Sequence, residues 1–214
     1  RHSSSAASDV YKRQVCNEFI EIQKLLNFLL ENKRQEDEIV VLWDSNGDKE
    51  IETYLRSKNV SKSFFLWYPY DFKNDFSDLK NQSVSHCNGD YIFQIDADEI
   101  PNEFLLKNLP NIIESNGGVE VILVPRVNIV DGIDPGHHIN QWGWRLDEEN
   151  RINWPDYQWR IWKNLDNIKW VNKVHERLDG FKTYSTLPKE TKYSLYHHKT
   201  IEKQERQNEF YRTL

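Results

Sequence analysis

Methionine is missing from all 214 residues, position 1 included. A chain without an initiator is expected to be part of a longer reading frame. Cysteine is scarce: Cys16 and Cys87 stand alone with no paired spacing. That argues against a disulfide framework and suits a reducing compartment. No apolar run approaches the roughly 18–20 residues needed to span a bilayer. Mean hydropathy is −0.80, as expected of a soluble chain. A basic excess is lacking too. There are 28 Lys and Arg against 34 Asp and Glu, a net charge of −6, which argues against a nucleic-acid binder held by a broad basic surface. Internal repeats are absent. What is present is enough length for one α/β domain with a sizeable core. Aromatics are plentiful, and six of the eight tryptophans fall between Trp142 and Trp170.

The first 14 residues stand apart. Ser4 to Gln14 resembles the translation of a sequencing adapter, so residues 1–14 are read as a non-native leader outside the fold. From Glu18 to Asn32, Phe19, Ile22, Leu25, Leu26 and Leu29 recur at three- and four-residue steps, which predicts a helix. Strands of buried type are predicted at 38–43, 64–68, 91–95 and 119–124, with helices at 49–57, 78–88 (Gly89 as its stop) and 101–115 between them. This alternation implies a mainly parallel sheet with crossover helices. A strand is expected before the first helix, in sequence that a truncation would have removed. After Pro125 the periodicity fades and tryptophans interleave with charges. Short strands are expected at 158–162, 168–171 and 192–198, and a polar helix from Thr200.

The richest stretch runs from Asp90 to Pro101. Tyr91, Ile92, Phe93 and Ile95 form a buried strand, and Asp96, Asp98 and Glu99 follow at its end. Open α/β sheets bind ligands beyond the carboxyl ends of their strands. Carboxylate oxygens there suit Mg²⁺ or Mn²⁺; a solvated acidic turn is the plainer alternative. Asp44 closes the strand 38–43 in a Ser-Asn-Gly-Asp turn, where it either binds a ligand or caps an Asx-turn.

These motifs together resemble a family. Asp44-Ser45-Asn46-Gly47-Asp48 is similar to the acidic turn of inverting GT-A glycosyltransferases of family 2. Asn88 to Glu99 resembles that family's Gly-(Asp/Glu)-Tyr-Ile-x-x-Leu-Asp-Ala-Asp-Glu segment. Tyr157 to Asn164, Trp170, Val174-His175-Glu176-Arg177-Leu178 and His197-His198-Lys199 look like motifs of a branch acting on polysaccharide or lipopolysaccharide acceptors. The resemblance covers about Val15 to Tyr211. Two departures stand out: Trp43 replaces a second acid before Asp44, and the usual Glu-Asp motif for the base is missing.

The resemblance implies a GT-A, Rossmann-like, three-layer α/β/α domain with a mainly parallel sheet. Residues 15–124 would form its nucleotide-sugar half and residues 125–214 an irregular, Trp-rich acceptor half. It implies metal-dependent transfer of a sugar from a nucleotide-diphosphate donor, UDP or GDP type, to a hydroxyl of a glycan or glycolipid acceptor. Asp98 is the first choice for the metal (Mn²⁺ or Mg²⁺), with Asp96 on metal or ribose and His197 or His198 completing the shell. Glu99 is a weaker metal candidate, equally readable as the first-turn acid of the next helix. Asp44, Asn17, Glu18 and Arg160 are placed on the nucleotide sugar, with Arg145 and Lys199 as further cations for the diphosphate. Glu176 is preferred as base or acceptor anchor, with His175 structural or phosphate-facing. His137-His138 is expected in a loop over the site. A cytoplasmic or membrane-peripheral enzyme is expected. The competing readings are a nucleotidyltransferase and a non-catalytic carbohydrate-binding module on the same fold.

Overall fold

The computed structural model describes residues 6–11 as backbone, and residues 18–58 and 65–212. Eleven strands and seven α-helices follow one another among them. The first part holds β1 (Ala6–Tyr11), α1 (Glu18–Asn32), β2 (Ile39–Asp44), α2 (Lys49–Lys58), β3 (Phe65–Tyr70), α3 (Phe76–Val84) and β4 (Tyr91–Asp96). Then come β5 (Glu99–Pro101), α4 (Glu103–Lys107), α5 (Leu109–Ser115), β6 (Val121–Asp131) and the helical turn α6 (Asn140–Trp142). The last part holds β7 (Ile152–Lys163), β8 (Lys169–Val171), β9 (Arg177–Asp179), β10 (Tyr184–Thr186), β11 (Leu195–Thr200) and α7 (Ile201–Arg212).

The main sheet runs β3-β2-β1-β4-β7-β6-β11-β5, with β10 beside β6. β1, β2, β3 and β4 pair in parallel, as do β6 with β10 and β11. β7 lies antiparallel between β4 and β6, and β5 runs antiparallel to β11, so the sheet is mixed. Alternation of side chains assigns the two faces. Ile39, Val41, Trp43, Phe93 and Ile95 meet α1, α2, α4 and α5 in the larger core. Leu42 packs instead on Phe76 and Leu79 of α3, and Ile92 on Trp162 and Trp170. The second face is thus covered by α3 and the small β8–β9 pair. Trp162 and Trp170 are core residues of that face.

Several boundaries move from their sequence positions, each for a local reason. The strand expected before α1 is present as β1, built from the segment read as leader. β2 and β4 both leave a hydrogen-bonding edge toward the gap between them, and Ala6–Tyr11 pairs with both. Backbone ladders require an extended chain and place few demands on side chains, so this pairing does not bear on the segment's origin. α3 ends at Val84, not at Asn88. The Glu38 carboxylate takes the backbone N–H groups of Asn88 and Gly89 and turns the chain into β4. The helix expected over 101–115 splits at Asn108, because Pro110 has no N–H to continue the first helix. Pro101 does not merely stop a strand; it ends the short edge strand β5, where a missing donor is tolerated. The division at 124/125 falls inside β6, which runs unbroken to Asp131, so one strand serves both halves.

Gly180 pins the turn after β9. Its φ is +86°, and a Cβ there would meet the Asn167 carbonyl oxygen at 1.8 Å. Gly180→Ala is expected to cost on the order of 2–3 kcal/mol by loss of a special backbone conformation and a direct clash. The shift in urea midpoint measures it.

Candidate active site

The site is built from strand ends. β2 and β4 flank β1, and Tyr11 pairs with Leu42 on one side and Asp96 on the other. Asp44 and Asp98 therefore each stand two residues past one shared row, on the same edge of the sheet. Asp44 is buried. Its Oδ1 accepts from the Asn46 N–H at 3.1 Å, the predicted Asx geometry. Its Oδ2 is also buried and has no hydrogen-bond partner among the described residues. An unsatisfied buried carboxylate oxygen is costly and marks a place for a donor.

Asp96 and Glu99 are tied into the sheet. Arg160, brought beside β4 by antiparallel β7, places Nη2 2.7 Å from both Asp96 Oδ2 and Glu99 Oε1. Arg126 of β6 donates to Glu99 Oε1 at 3.0 Å and to Asp156 Oδ2 at 2.6 Å. Glu99 is fully buried and also accepts from the Asp96 N–H at 3.2 Å. Burial opposes both guanidinium charges, and the facing carboxylates more than offset it, holding both arginines protonated. Asp96 Oδ2 and the Arg160 guanidinium thus answer each other within the protein, while both residues line the cleft. One expectation is corrected: Glu99 stands in β5 at the centre of the network, not in the first turn of a helix.

Asp98 meets β11. The chain passes from β5 alongside β11, so His197 Nε2 lies 3.2 Å from Asp98 Oδ2. Lys199 and Lys203 stand 3.7 and 3.8 Å from the same oxygen. Burial raises the Asp98 carboxyl. The His197 charge and hydrogen bond and the two ammoniums outweigh it and hold it well below the usual carboxylate range. Burial pushes the His197 imidazole down to about 4, while the Asp98 carboxylate raises it. Asn128 Nδ2 donates to Asp156 Oδ2 at 2.8 Å, and its Oδ1 lies 2.8 Å from His197 Nδ1. A carboxylate oxygen and an imidazole nitrogen thus converge, with the second ring nitrogen beside an amide oxygen, as in supported metal-ligand histidines. Carboxylate and imidazole suit Mn²⁺, and less strictly Mg²⁺. Among the described residues no three His, Cys, Asp or Glu side chains gather as a metal group. His198 is not a partner: strand alternation sends it to the exposed face, where it pairs with Asp131 at 2.7 Å.

A cleft of about 400 Å³ opens beside this network, and Asp96, Arg160, His175, Glu176 and His197 all line it. Trp144, Trp159 and Trp170 are on its walls. His175 and Glu176 sit in the bend between β8 and β9, not in a strand, and His175 is in the left-handed region at φ +52°. The Glu176 side chain is buried, its Oε1 2.5 Å from Lys80 Nζ of α3. Asn17 lies outside the described residues. Glu18 opens α1, and its side chain is likewise outside them. Arg145 is exposed and away from the cleft, whereas Lys199 is buried on it. His137 and His138 belong to a helical turn, Pro135–Ile139, whose His138 Nε2 reaches Glu205 of α7 at 3.6 Å. Lys80, Arg126, Asn128 and Asp156 escaped the sequence reading. Nothing local marks them, since each acquires its role from a partner 27 to 96 residues away.

Comparison with known proteins bears on the family and the fold. A search of curated proteins gave no match. Among solved structures, TarS 1–349 of S. aureus superposes with a TM-score of 0.61 at 15% identity, covering 91% of this chain and 60% of that one. The same fragment in complex with UDP-GlcNAc gives 0.62 at 16% identity, covering 91% and 58%. The chain thus spans about three fifths of the length of these relatives in structure, and at such identity the likeness is one of fold. Residues 14–186 match the description Glycosyl transferase family 2, and this is the family to which the chain belongs.

Proposed function

We propose that the chain transfers a sugar of hexosyl type from a nucleotide-diphosphate donor, of the UDP or GDP kind, to a hydroxyl of a glycan or glycolipid acceptor. The reading includes a divalent cation, Mn²⁺ or Mg²⁺, and inversion, the latter taken over from the family resemblance. The observation that carries it is the Asp98–His197 pair, a carboxylate oxygen and an imidazole nitrogen 3.2 Å apart at a strand end. Asp98 and His197 would hold the cation, which when bound would supply Lewis-acid stabilisation of the leaving diphosphate.

The chain's own residues account for the rest. Lys199 and Lys203, already within 3.8 Å of Asp98, add positive charge where the diphosphate gains negative charge. Asp44 Oδ2 accepts from the base or ribose of the donor, and this meets its missing hydrogen bond. Glu176, on the cleft wall, takes the proton of the acceptor hydroxyl as it attacks. Trp144 and Trp159 present aromatic faces on which sugar rings stack. The complex of TarS with UDP-GlcNAc makes that nucleotide sugar the first donor to test. No described helix is long and apolar enough to cross a membrane. A cytoplasmic or membrane-peripheral role in surface polysaccharide synthesis belongs to the same proposal.

Electron paramagnetic resonance of Mn²⁺ titrated into the protein with UDP tests the metal assignment. Asp98→Ala and His197→Ala are expected to abolish UDP-dependent Mn²⁺ uptake, while His198→Ala leaves it unchanged. Undiminished uptake by a folded Asp98→Ala variant would reject the site. Asn128→Ala, which touches neither metal nor nucleotide in this reading, is expected to weaken uptake roughly 10–100-fold by freeing the His197 ring. Wild-type affinity in that variant would remove Asn128 from the account.

A further inference from the structure

The assignment of Glu176 as the base leaves open what holds a carboxylate on a bend of the chain. Two neighbouring residues of α3 supply the answer. Asn81 clasps the backbone of Trp170 twice, donating Nδ2–H to its carbonyl and accepting its N–H at Oδ1, both at 2.9 Å. This fixes β8 against α3. Lys80, one residue earlier, runs across the face of the Trp170 ring, with Nζ 4.2 Å from the centroid. The same ammonium reaches Glu176 Oε1 at 2.5 Å. Both side chains are about 95% buried, at 5% and 6% exposure, yet both line the cleft. A buried ion pair is weak evidence for stability. A cation held over an indole and aimed at a carboxylate is strong evidence for orientation.

Resting on the reading of Glu176 as base, we propose that Lys80 is its positioning residue. The ammonium holds Oε1 and so orients the carboxylate for Oε2 to meet the acceptor. In the transfer step the acceptor oxygen forms its bond to the anomeric carbon and its proton passes to Oε2. The bond from that carbon to the diphosphate oxygen breaks, and its electron pair leaves with the diphosphate. Lys80 touches neither reacting sugar nor acceptor in this scheme; it acts through Glu176.

The test uses UDP-GlcNAc with Mn²⁺ and water as acceptor, with UDP release as the rate and UDP titration as the affinity. Thermal melts check the fold. Lys80→Met and Glu176→Gln are each expected to lower kcat by ~100-fold, the range of a lost general base. UDP affinity should stay within about twofold, the fold-change of a residue that does not touch the donor. The double variant should be no slower than Glu176→Gln alone, since both changes remove one function. Lys80→Arg, which keeps the charge, should recover most of kcat where melts show it folded. Three outcomes would overturn the proposal: unchanged kcat in Lys80→Met, loss of UDP binding in that variant, or losses that multiply in the double variant. Should Lys80→Met not fold, Lys80→Arg decides alone, and a kcat as low as that of Glu176→Gln at normal UDP affinity would count against the proposal. Full kcat in Glu176→Gln would instead reject Glu176 as the base, and the positioning role with it.

Discussion

The fully buried carboxylate of Glu99 is the constraint on which the site depends. It receives Arg126 from β6 and Arg160 from β7, and Arg160 reaches on to Asp96 of β4. Four strands, β4 to β7, are thereby tied together. Removing a partner from such a cluster leaves an uncompensated buried charge, worth roughly 3–5 kcal/mol. The cluster also does chemical work at one remove. Asp96 is answered by Arg160, and Asp98 by His197, Lys199 and Lys203. With Asp156 held by Arg126, Asn128 is oriented, and through it the His197 ring.

That order of dependence explains why the Asp-Ala-Asp motif is unequal. Its two acids lie two residues apart, and in a regular strand they would share a face. The first ends β4 and is enclosed by β7; the second lies in the turn to β5 and faces β11. The first is met by an arginine and the second by a histidine and two lysines. The cleft gathers another wall from a different layer. Trp170 and Glu176 arrive through the β8–β9 pair and are held from α3.

Much of the fold was legible in the sequence, because its signals are local. The 3.6-residue spacing from Ile22 to Leu29 marks α1, and the apolar runs at β2 and β4 mark strands buried on both faces. Asp44, Asp98 and His197 stand out in the sequence as candidates, because acids at strand ends and paired histidines are local signals. That His197 and not His198 meets Asp98 was not legible, since it depends on which face of β11 turns inward. Nor were the partners of Glu99, Arg126 and Lys80, which only the tertiary fold supplies. The segment 6–11 teaches a related lesson. A composition that suggested no structural part fits the central gap because a sheet edge selects for backbone before side chain.

The central claim is that the strand-end site takes a nucleoside diphosphate together with a divalent cation. Isothermal titration of UDP, GDP and CDP into the protein, each with and without Mn²⁺, addresses it most directly. The account predicts that one of the three binds and that its binding requires Mn²⁺. No binding by any of them, or equal binding with and without the metal, would contradict it.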